Sequence, residues 1–433
     1  MSEELIQVNV RKAPVRILLI ALLILGAVWS YFVVRWYLGN TLAEYFTRSE
    51  SGVDAARMAI SLAPNDPLTH WRMADVSQRL LPLDQQAEAI AEYEQSVKLS
   101  PNDYRLWMFL GTALGQAGDS AKAEVALKRA VELAPAYAYP RWYLGNFFLR
   151  NARYDEAFVE LRLASEANPD LRPQQFNLIW EVYKGDTEAL KNAVGPSAEA
   201  RAQFALYLVT RNEIDEGLRV WNSMSGQEKT TNKDSGAAII TALNRSLRYH
   251  EALKVWNEMS METYRAEVGR VFDGSFEEAV TYGPDIVFGW QVKSAPGLDL
   301  RIDTTKSHSG SRSLRMLFEV SSNLPIINVS QLIAVTPRTE YELEFYVSTE
   351  KLVSGSTPQV QVLNAANEQE LVSSTAPNGS SKWSPVSLSF KTGENVEAVI
   401  LRIVRVSCST EETPICPIYG SVWYDDFTFK RRN

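Results

Sequence analysis

The chain has few residues of the kinds that most enzyme active sites require. Among 433 residues there are three histidines, His70, His250 and His308, and two cysteines. No two histidines have the spacing of a metal-binding pair, and HExxH, GxSxG, Walker and dinucleotide-binding motifs are missing. These absences argue against zinc hydrolases, serine hydrolases and nucleotide-dependent enzymes, so we expect a protein without catalytic activity.

Clustered positive charge is also missing. The net charge is −8, and the 44 lysine and arginine residues are scattered among 52 aspartate and glutamate residues without a run of like charge. Nucleic acids and anionic lipid surfaces bind proteins through clustered Lys and Arg. We therefore expect no nucleic acid partner.

One long apolar run is present near the N-terminus. Residues Ile17–Val34 are 18 consecutive positions without a formal charge, and at about 1.5 Å per residue they just span a hydrocarbon core about 30 Å thick. Trp29, Tyr31 and Trp36 lie near the outer end of the run, as in an interfacial aromatic belt. The run predicts a transmembrane anchor over residues 17–36.

The flanking charges predict the orientation of this anchor. Arg11, Lys12 and Arg16 precede the run, whereas the charges after it are mixed, so the positive-inside rule places residues 1–16 in the cytoplasm and the rest outside. A cleaved signal peptide is the alternative, with an apolar region of about 7–15 residues and a small-x-small cleavage site. The segment "WSYFVVRWYLG" offers no such site, which favours an uncleaved anchor.

The two cysteines, Cys408 and Cys416, enclose a polar segment that contains a proline, as a hairpin tip does. Outside the cytoplasm, a disulfide between them would add about 2.5 kcal/mol through loop-closure entropy. Two cysteines without a nearby histidine make at most half of a zinc site. We therefore expect a disulfide rather than a metal centre.

A period of 34 residues runs through the helical part of the chain. Pro101, Pro135 and Pro169 are spaced 34 residues apart. When the sequence is aligned on these prolines, small residues recur at some positions of the period and large residues at others. Small residues let paired helices approach closely, large ones fill the groove between them, and each proline prevents the preceding helix from continuing. The superposed sets are Gly111 and Gly145; Leu114 and Phe148; Ala89, Ala123 and Ala157; and Tyr93, Leu127 and Leu161.

This pattern resembles the tetratricopeptide repeat. The resemblance implies a solenoid of helix hairpins over residues 37–171, followed by divergent helical repeats over 172–264, where Asp215–Ser225 and His250–Ser260 are 35 residues apart. Such solenoids hold a peptide or a partner domain in a concave groove. Candidates for partner contact, with an ordinary solvated face as the alternative, are Arg105, Asn146, Arg150 and Arg153.

The hexapeptide RWYLGN occurs twice, at Arg35–Asn40 and at Arg141–Asn146. The second copy lies in the first helix of a regular repeat, and counting back from Pro64 places Gly39 at the equivalent glycine to within one residue. We therefore expect the anchor helix to continue into a first repeat without a flexible linker. The alternative is an aromatic belt that shares these letters by coincidence.

From about residue 265 the pattern changes to short alternating runs separated by Gly, Ser, Pro and Asn. About eight strands in about 165 residues predict an antiparallel β-sandwich over 265–433. The phrases "FDGSFE", "GWQV", "SHSGSRSLRM", "PRTEYELEFYV", "KWSPVSLSF" and "GSVWYDDFTF" follow one another over 272–429. In this order they resemble the galactose-binding-like jelly rolls that occur as carbohydrate-binding modules beside many glycoside hydrolases.

That resemblance implies two kinds of site. Members of the family often bind a structural Ca²⁺ through an opening acidic residue and a closing Asp pair, which fall here on Glu277 and on Asp425 or Asp426. The alternative is an Asp pair that caps a turn or meets nearby Arg and Lys. Sugar binding would use exposed aromatic rings, and the candidates, each also suited to the core, are Trp290, Tyr341, Tyr346, Trp383, Trp423 and Tyr424.

Together these features predict a multidomain protein with a single N-terminal transmembrane helix, an all-α tetratricopeptide solenoid and a C-terminal all-β jelly-roll sandwich. A short basic N-terminus, one anchor and repeats immediately outside it are typical of a bacterial inner-membrane protein whose bulk is periplasmic. Repeat proteins encoded with bacterial polysaccharide export systems are similar, so we expect a scaffold that binds proteins and a glycan in exopolysaccharide or cell-envelope assembly. The alternatives are a purely protein–protein adaptor and a periplasmic glycan-processing enzyme that uses Glu277, Asp425 and Asp426.

Overall fold

A computed structural model gives the fold. It describes residues 12–46, 52–80, 86–260, 265–278, 287–292, 297–318, 326–406, 408 and 415–432. The chain divides into two compact units, Met1–Gly195 and Pro196–Asn433. This division falls inside the region where the sequence predicts divergent helical repeats, and the domain boundaries expected above stay predictions.

In the residues described, the first unit is helical. Helix α1 (Ala13–Thr41) is followed by a π-helical turn (Leu42–Phe46). Sequential helices pack side by side through short connections, which makes them antiparallel pairs, so the predicted solenoid of hairpins is confirmed. The further helices are α2 (Gly52–Leu62), α3 (Pro67–Leu80), α4 (Gln86–Leu99), α5 (Tyr104–Gln116), α6 (Ser120–Leu133), α7 (Ala138–Arg150), α8 (Tyr154–Ala167), α9 (Arg172–Tyr183) and α10 (Thr187–Val194).

The glycines at the repeated position let the two helices of a hairpin lie close together. A Cβ on Gly111 would lie 2.6 Å from Leu127 Cγ, and one on Gly145 would lie 2.7 Å from Leu161 Cγ. Each would also lie 3.1 Å from a backbone carbonyl oxygen of the second helix. Because protein interiors are close-packed, an added methyl group here forces neighbours to move. The 34-residue pattern of small residues is therefore a packing requirement.

The first copy of RWYLGN belongs to the same helix as the apolar run, because α1 is continuous over Ala13–Thr41. A Cβ on Gly39 would lie 2.8 Å from Ala63 Cβ and 3.0 Å from the Ala59 carbonyl oxygen, so Gly39 packs on α2 as Gly145 packs on α8. In both copies the asparagine side chain donates to the tryptophan carbonyl four residues earlier, at 3.1 Å and 2.8 Å. The apolar helix thus runs into the first hairpin without a break.

By length and composition, the N-terminal helix is able to cross a membrane. The side chains of its apolar run are exposed to the surroundings rather than packed against the rest of the chain. A membrane anchor and a signal sequence both have this form.

The second unit begins with α11 (Ala198–Thr210), α12 (Ile214–Asn222), α13 (Gly226–Thr231), α14 (Lys233–Arg245) and α15 (Tyr249–Met259). The pairs α11–α12 and α14–α15 are the two divergent hairpins. A Cβ on Gly217 of α12 would lie 2.8 Å from the Ala205 carbonyl oxygen of α11. In the α11–α12 hairpin the close-approach glycine therefore lies on the second helix rather than on the first, and this weakens the repeat signature although the hairpin persists.

The strands of the second unit form two five-stranded sheets, with the strand orders β1-β4-β9-β6-β7 and β2-β3-β10-β5-β8. The pairings are antiparallel, and the sheets enclose an apolar core that includes Met316, Phe345 and Leu401. The predicted antiparallel sandwich is confirmed. Its strands are β1 (Gln291–Val292), β2 (Leu298–Asp303), β3 (Ser313–Phe318), β4 (Ile326–Ala334), β5 (Glu340–Ser354), β6 (Gln359–Asn364), β7 (Glu370–Thr375), β8 (Gly379–Lys391), β9 (Ala398–Arg405) and β10 (Ile418–Arg431).

Helix α15 packs directly on the sandwich. His250 Nε2 lies 3.1 Å from the Val335 carbonyl oxygen, and the Trp256 and Phe288 rings meet edge-on with centroids 6.3 Å apart. The Asn257 side chain also exchanges two hydrogen bonds with the backbone of Ala266, at 2.9 and 3.0 Å. The last helical hairpin and the sandwich therefore form one compact unit.

The disulfide predicted between Cys408 and Cys416 is present. Beside it the side chain of Arg405 is almost completely buried and donates to the carbonyl oxygens of Ser356 and Cys416, at 3.0 and 2.7 Å. Burial lowers the pKa of this guanidinium. Backbone carbonyl groups of the β5–β6 connection and of Cys416 thus accept the hydrogen bonds of a buried cation.

Candidate binding sites

Three aromatic side chains form a candidate sugar-binding surface on the outer face of the sheet β2-β3-β10-β5-β8. Tyr346 alternates along β5 with the core residues Phe345 and Val347, so its ring lies on the opposite face. Trp423 alternates in the same way along β10, and Trp383 on β8 lies close by. We call Tyr346, Trp383 and Trp423 the aromatic face.

A loop of residues 304–312, which we call the cover loop, lies over this face. The ammonium nitrogen of Lys306 is 3.6 Å from the centroid of the Trp423 ring. The His308 ring stacks on Tyr346, with centroids 3.5 Å apart and planes 13° apart. Burial lowers the pKa of Lys306, as expected for an ammonium group held against an aromatic surface. Two of the three rings therefore carry a side chain of the same molecule where a sugar would stack.

Trp383 has no cover-loop side chain as close to its ring as those on Tyr346 and Trp423. Its centroid is 5.9 Å from both the His308 ring and the Lys306 ammonium nitrogen, and it remains partly exposed. Trp423 is only 5% exposed, and its indole N–H donates to Asp303 Oδ2 at 2.8 Å. A ligand can therefore reach Trp383 first, and the other rings after the cover loop moves.

The other aromatic candidates lie in the core. Trp290 is 3% exposed and packs against Phe276 and Phe427, with centroids 5.1 and 5.3 Å away. Tyr341 and Tyr424 are also buried in the cluster between the two sheets. None of these three rings presents a face on which a sugar can stack, because each is enclosed by its neighbours.

The Asp pair in the middle of β10, at an irregularity of its pairing with β5, holds the cover loop in place. Asp425 Oδ2 accepts hydrogen bonds from the backbone N–H groups of His308 and Ser309, at 2.7 and 3.4 Å. Asp426 lies 2.6 Å from His308 Nδ1 through one carboxylate oxygen and accepts from the Ser309 hydroxyl at 2.6 Å through the other. Burial raises the pKa of Asp425 to about 6. The pair thus holds His308 in place on Tyr346.

Glu277 fastens the other end of the same loop. Its carboxylate accepts from the N–H and hydroxyl of Ser311, at 2.7 and 2.8 Å, and from the N–H of Arg312 at 2.9 Å. These donors lower the pKa of Glu277, the backbone N–H of Ser311 having the largest effect. The loop passes so close that a Cβ on Gly310, whose φ is +56°, would lie 2.2 Å from Glu277 Oε1. Glycine is therefore required there.

In this arrangement the three carboxylates do not fit a calcium ion. Among the residues that the structure describes, no three His, Cys, Asp or Glu side chains are grouped closely enough to hold a metal. The oxygens of Glu277, Asp425 and Asp426 instead face N–H and O–H donors, whereas Ca²⁺ needs six to eight converging oxygen atoms, as a rough rule. Calcium binding by Glu277, Asp425 and Asp426 therefore stays a prediction.

Two pockets lie along the first helices of the repeats. The larger, of about 510 Å³, is lined by Trp71 of α3 and by Arg105 and Phe109 of α5. The second, of about 370 Å³, is lined by residues that include Trp142, Asn146 and Arg150. Both combine aromatic walls with a basic or amide side chain, which suits an apolar side chain of a bound peptide beside a polar group.

The basic residues expected in the groove are not equivalent. Arg105 is paired with Asp103 at 2.7 Å. Arg153 reaches from the start of α8 to Glu124 of α6, at 2.6 Å, and holds Glu156 as well. The Arg153 and Lys128 side chains lower the pKa of Glu124 to about 2. Arg153 therefore ties neighbouring hairpins together, whereas Asn146 and Arg150 line a pocket.

Sequence comparison agrees with this geometry. The family model of the tetratricopeptide repeat matches residues 104–137, which comprise α5, α6 and the turn that follows. The helical array therefore contains a tetratricopeptide repeat. No protein of curated function matches the chain in sequence.

Solved structures similar to parts of the chain fall into two groups. MamA from Desulfovibrio magneticus RS-1 is 14% identical, covers 44% of this chain and 92% of its own, and has a TM-score of 0.29. A structure described as CBM4 is 12% identical over 37% of this chain and 99% of its own, with a TM-score of 0.29. The CBM22-1 xylan-binding domain of Xyn10C from Paenibacillus barcinonensis is 16% identical over 38% and 97%, with a TM-score of 0.25. These similarities are too low to support an inference about this chain.

Proposed function

We propose that this chain is a non-catalytic, membrane-anchored scaffold whose tetratricopeptide array binds protein partners and whose β-sandwich binds a glycan. The observation that carries the glycan part is the aromatic face, three rings gathered on the solvent side of one sheet beside polar groups of the cover loop. Such a surface offers stacking area for pyranose rings and hydrogen-bonding partners for their hydroxyls.

The protein-binding part is supported by the two pockets of the array. They follow each other along α3, α5 and α7, so an extended segment is able to place one apolar side chain in each. Arg150, which is exposed at the second pocket, favours a partner with an acidic group nearby.

The localisation that we propose is the bacterial inner membrane, with residues 1–16 in the cytoplasm and the bulk of the chain in the periplasm. A Cys408–Cys416 disulfide suits an oxidising compartment. The process is exopolysaccharide or cell-envelope assembly, in which a scaffold at the membrane surface brings a glycan and proteins together.

The glycan part is tested by binding of the full chain, in lipid nanodiscs, to an array of bacterial and plant polysaccharides. We expect Trp383→Ala to weaken binding about tenfold, equivalent to about 1.4 kcal/mol. The matched control is Tyr419→Ala, which removes an exposed tyrosine of β10 outside the aromatic face. Equal binding by the two variants would show that the aromatic face is not the site. A parallel array with and without Ca²⁺ tests the calcium prediction.

A purely protein–protein adaptor is the second candidate, and the two pockets favour it if no glycan binds. In that case the array should still capture partners from envelope extracts, and Asn146→Ala with Arg150→Ala should abolish the capture. Hydrolysis of an arrayed glycan that is lost in Glu277→Gln would instead support the enzyme hypothesis.

A further inference from the structure

The first hairpin of the array, α1–α2, differs from the fourth, α7–α8, in where its second helix ends. The carbonyl that faces Gly145 belongs to Ala157, 12 positions later, whereas the one that faces Gly39 belongs to Ala59, 20 positions later. Beyond these carbonyls α8 continues for ten residues, but α2 for only three. At about 1.5 Å per residue, the turn after α2 therefore lies about 10 Å closer to its glycine.

This shortened helix ends beside the last residues of the apolar run. Arg35 donates to the Ser61 carbonyl oxygen at 2.6 Å, and the Trp36 indole N–H donates to Asp66. The Asn40 side chain donates to the same Asp66 carboxylate at 3.0 Å. A second helix as long as α8 would place this polar turn alongside the apolar residues before Val34. Helix α2 thus stops level with the end of the apolar run at Val34.

The same turn recurs before α5 and α7. In each, a backbone N–H donates to the carbonyl three residues earlier: Asp66 to Ala63 at 3.2 Å, Asp103 to Ser100 at 3.2 Å, and Tyr137 to Ala134 at 3.1 Å. We call these turns, residues 63–66, 100–103 and 134–137, the turn edge of the array.

The three turns are neighbours in space. Pro67 and Leu68, at the start of α3, line one pocket together with Asp103. The rings of Tyr104 and Tyr137 lie 5.4 Å apart, which joins the second turn to the third. The turn edge is therefore one continuous border of the array that begins at the end of the apolar run.

We propose that the turn edge rests on the lipid headgroup layer, so that the bilayer surface is the partner of this side of the array. The inference rests on the membrane anchor proposed above. A core about 30 Å thick within a bilayer of about 40–45 Å leaves about 5–7 Å of headgroups on each side. Trp36 stands about 3 Å beyond Val34 along the helix, so Trp36 and the turn bonded to it lie within that layer.

The exposed residues of the edge have the chemistry of an interface. Asn65 and Asn102 are exposed and uncharged, and Tyr137 and Tyr139 are 59% and 55% exposed. Tyrosine with its ring toward the acyl boundary and its hydroxyl in water is typical of membrane surfaces. The edge as described carries no cluster of Lys and Arg, so we expect binding to a zwitterionic bilayer without added anionic lipid.

The same layer also covers an apolar surface of the first hairpin. Tyr37 and Leu38 are 63% and 46% exposed, whereas the equivalent Leu144 is 3% exposed beneath the preceding hairpin. Solenoids normally end in a repeat with a polar outer face. Here the headgroup layer takes the place of the preceding repeat.

The test uses single cysteines, because the two natural cysteines are joined in a disulfide. Full-length Asn65→Cys, Asn102→Cys and Ala121→Cys proteins carry a fluorophore and are reconstituted in phosphatidylcholine vesicles that contain a nitroxide on the lipid headgroup. Ala121 is exposed at the opposite end of the hairpin and is the control. We expect strong quenching at position 65, weaker quenching at 102, little at 121, and no change when anionic lipid is added.

Equal quenching at 65 and 121 in protein that floats with the vesicles would overturn the proposed edge. Protein that does not float with the vesicles would instead overturn the anchor on which it rests. If position 65 is shielded from the nitroxide and its cysteine cross-links to a second copy of the chain, another chain covers this edge. That outcome would also overturn the proposal.

A second variant tests the tyrosines without altering the labelled turns. We expect the double change Tyr137→Ser and Tyr139→Ser to reduce quenching at position 102 at least twofold and to leave the quenching at 65 unchanged. Tyr154→Ser, at the opposite end of the fourth hairpin, is the control and should change neither. Unchanged quenching at 102 in the double variant would contradict the role of these tyrosines.

Discussion

The two copies of RWYLGN have the same six residues but different surroundings. In both, the glycine packs on the second helix of its own hairpin and the asparagine bonds to the tryptophan carbonyl. The leucines differ, because Leu144 is buried beneath the preceding hairpin and Leu38 is largely exposed. The hexapeptide therefore specifies how a helix meets its own partner, whereas burial of its leucine depends on what comes before it.

Replacement of Leu144 and of Leu38 should show the largest difference in the free energy of unfolding. Leu144→Ala should lower the free energy of unfolding of the array by about 2–5 kcal/mol, since it empties a packed site. Leu38→Ala should change it by less than about 0.5 kcal/mol, since exposed positions contribute little. Denaturant unfolding of the full chain in detergent, followed by helical circular dichroism, measures both. Similar losses in the two variants would mean that Leu38 is packed against a neighbour in solution.

Unlike the two leucines, Gly39 and Gly145 should have similar effects on the free energy of unfolding when they are replaced. Gly145→Val and Gly39→Val should each cost about 1–3 kcal/mol, because the added side chain overlaps the second helix. The same unfolding measurement applies, and Gly226→Val, where an added Cβ meets nothing within 4 Å, is a control. A neutral Gly39→Val would show that α1 and α2 are not in close contact.

The aspartates at the turn edge are expected to have smaller effects. Asp66 accepts from the Leu68 N–H at 2.8 Å and Asp103 from the Arg105 N–H at 3.0 Å, each at the start of a helix. Replacement of either by alanine should cost about 1 kcal/mol. Asp66→Ala should also speed hydrogen exchange in the first turn of α3, since the Leu68 N–H loses its acceptor.

The smallest effect concerns an ion pair that ties the fourth hairpin, α7–α8, to the third, α5–α6. Because Arg153 and Lys128 hold the pKa of Glu124 at about 2, below its usual value near 4.5, the folded state gains stability above pH 4.5. That gain should disappear as the pH falls from 4.5 through 2. The unfolding midpoint of Arg153→Ala should therefore depend less on pH over this range than that of the unaltered chain. An unchanged pH dependence would exclude this ion pair as a source of acid sensitivity.

The repeat architecture was predictable because each close approach requires a small residue at a fixed distance along the chain. Gly111, Gly145 and Gly39 therefore marked the first helices, including the one that is fused to the apolar run. In α12 the close-approach glycine lies on the second helix, at Gly217, so the same rule left only a weak pattern there.

The candidate site was predictable only in part. Alternation along β5 and β10 identified Tyr346 and Trp423 as strand residues, but it did not separate them from the enclosed Trp290. Lys306 and His308 were missed because their contacts join positions far apart in the chain, from 38 residues between His308 and Tyr346 to 117 between His308 and Asp425. Such contacts leave no local pattern. The only signal was the phrase "SHSGSRSLRM", which places a glycine-containing loop before β3.

The cover loop has a consequence for the kinetics of glycan binding. A sugar ring that stacks on Tyr346 has to displace His308, and a sugar ring that stacks on Trp423 has to displace Lys306. The observed association rate should therefore rise with glycan concentration only until loop opening becomes limiting, and then reach a plateau. While no ligand is bound, the same side chains cover the aromatic rings and shield them from contact with other proteins.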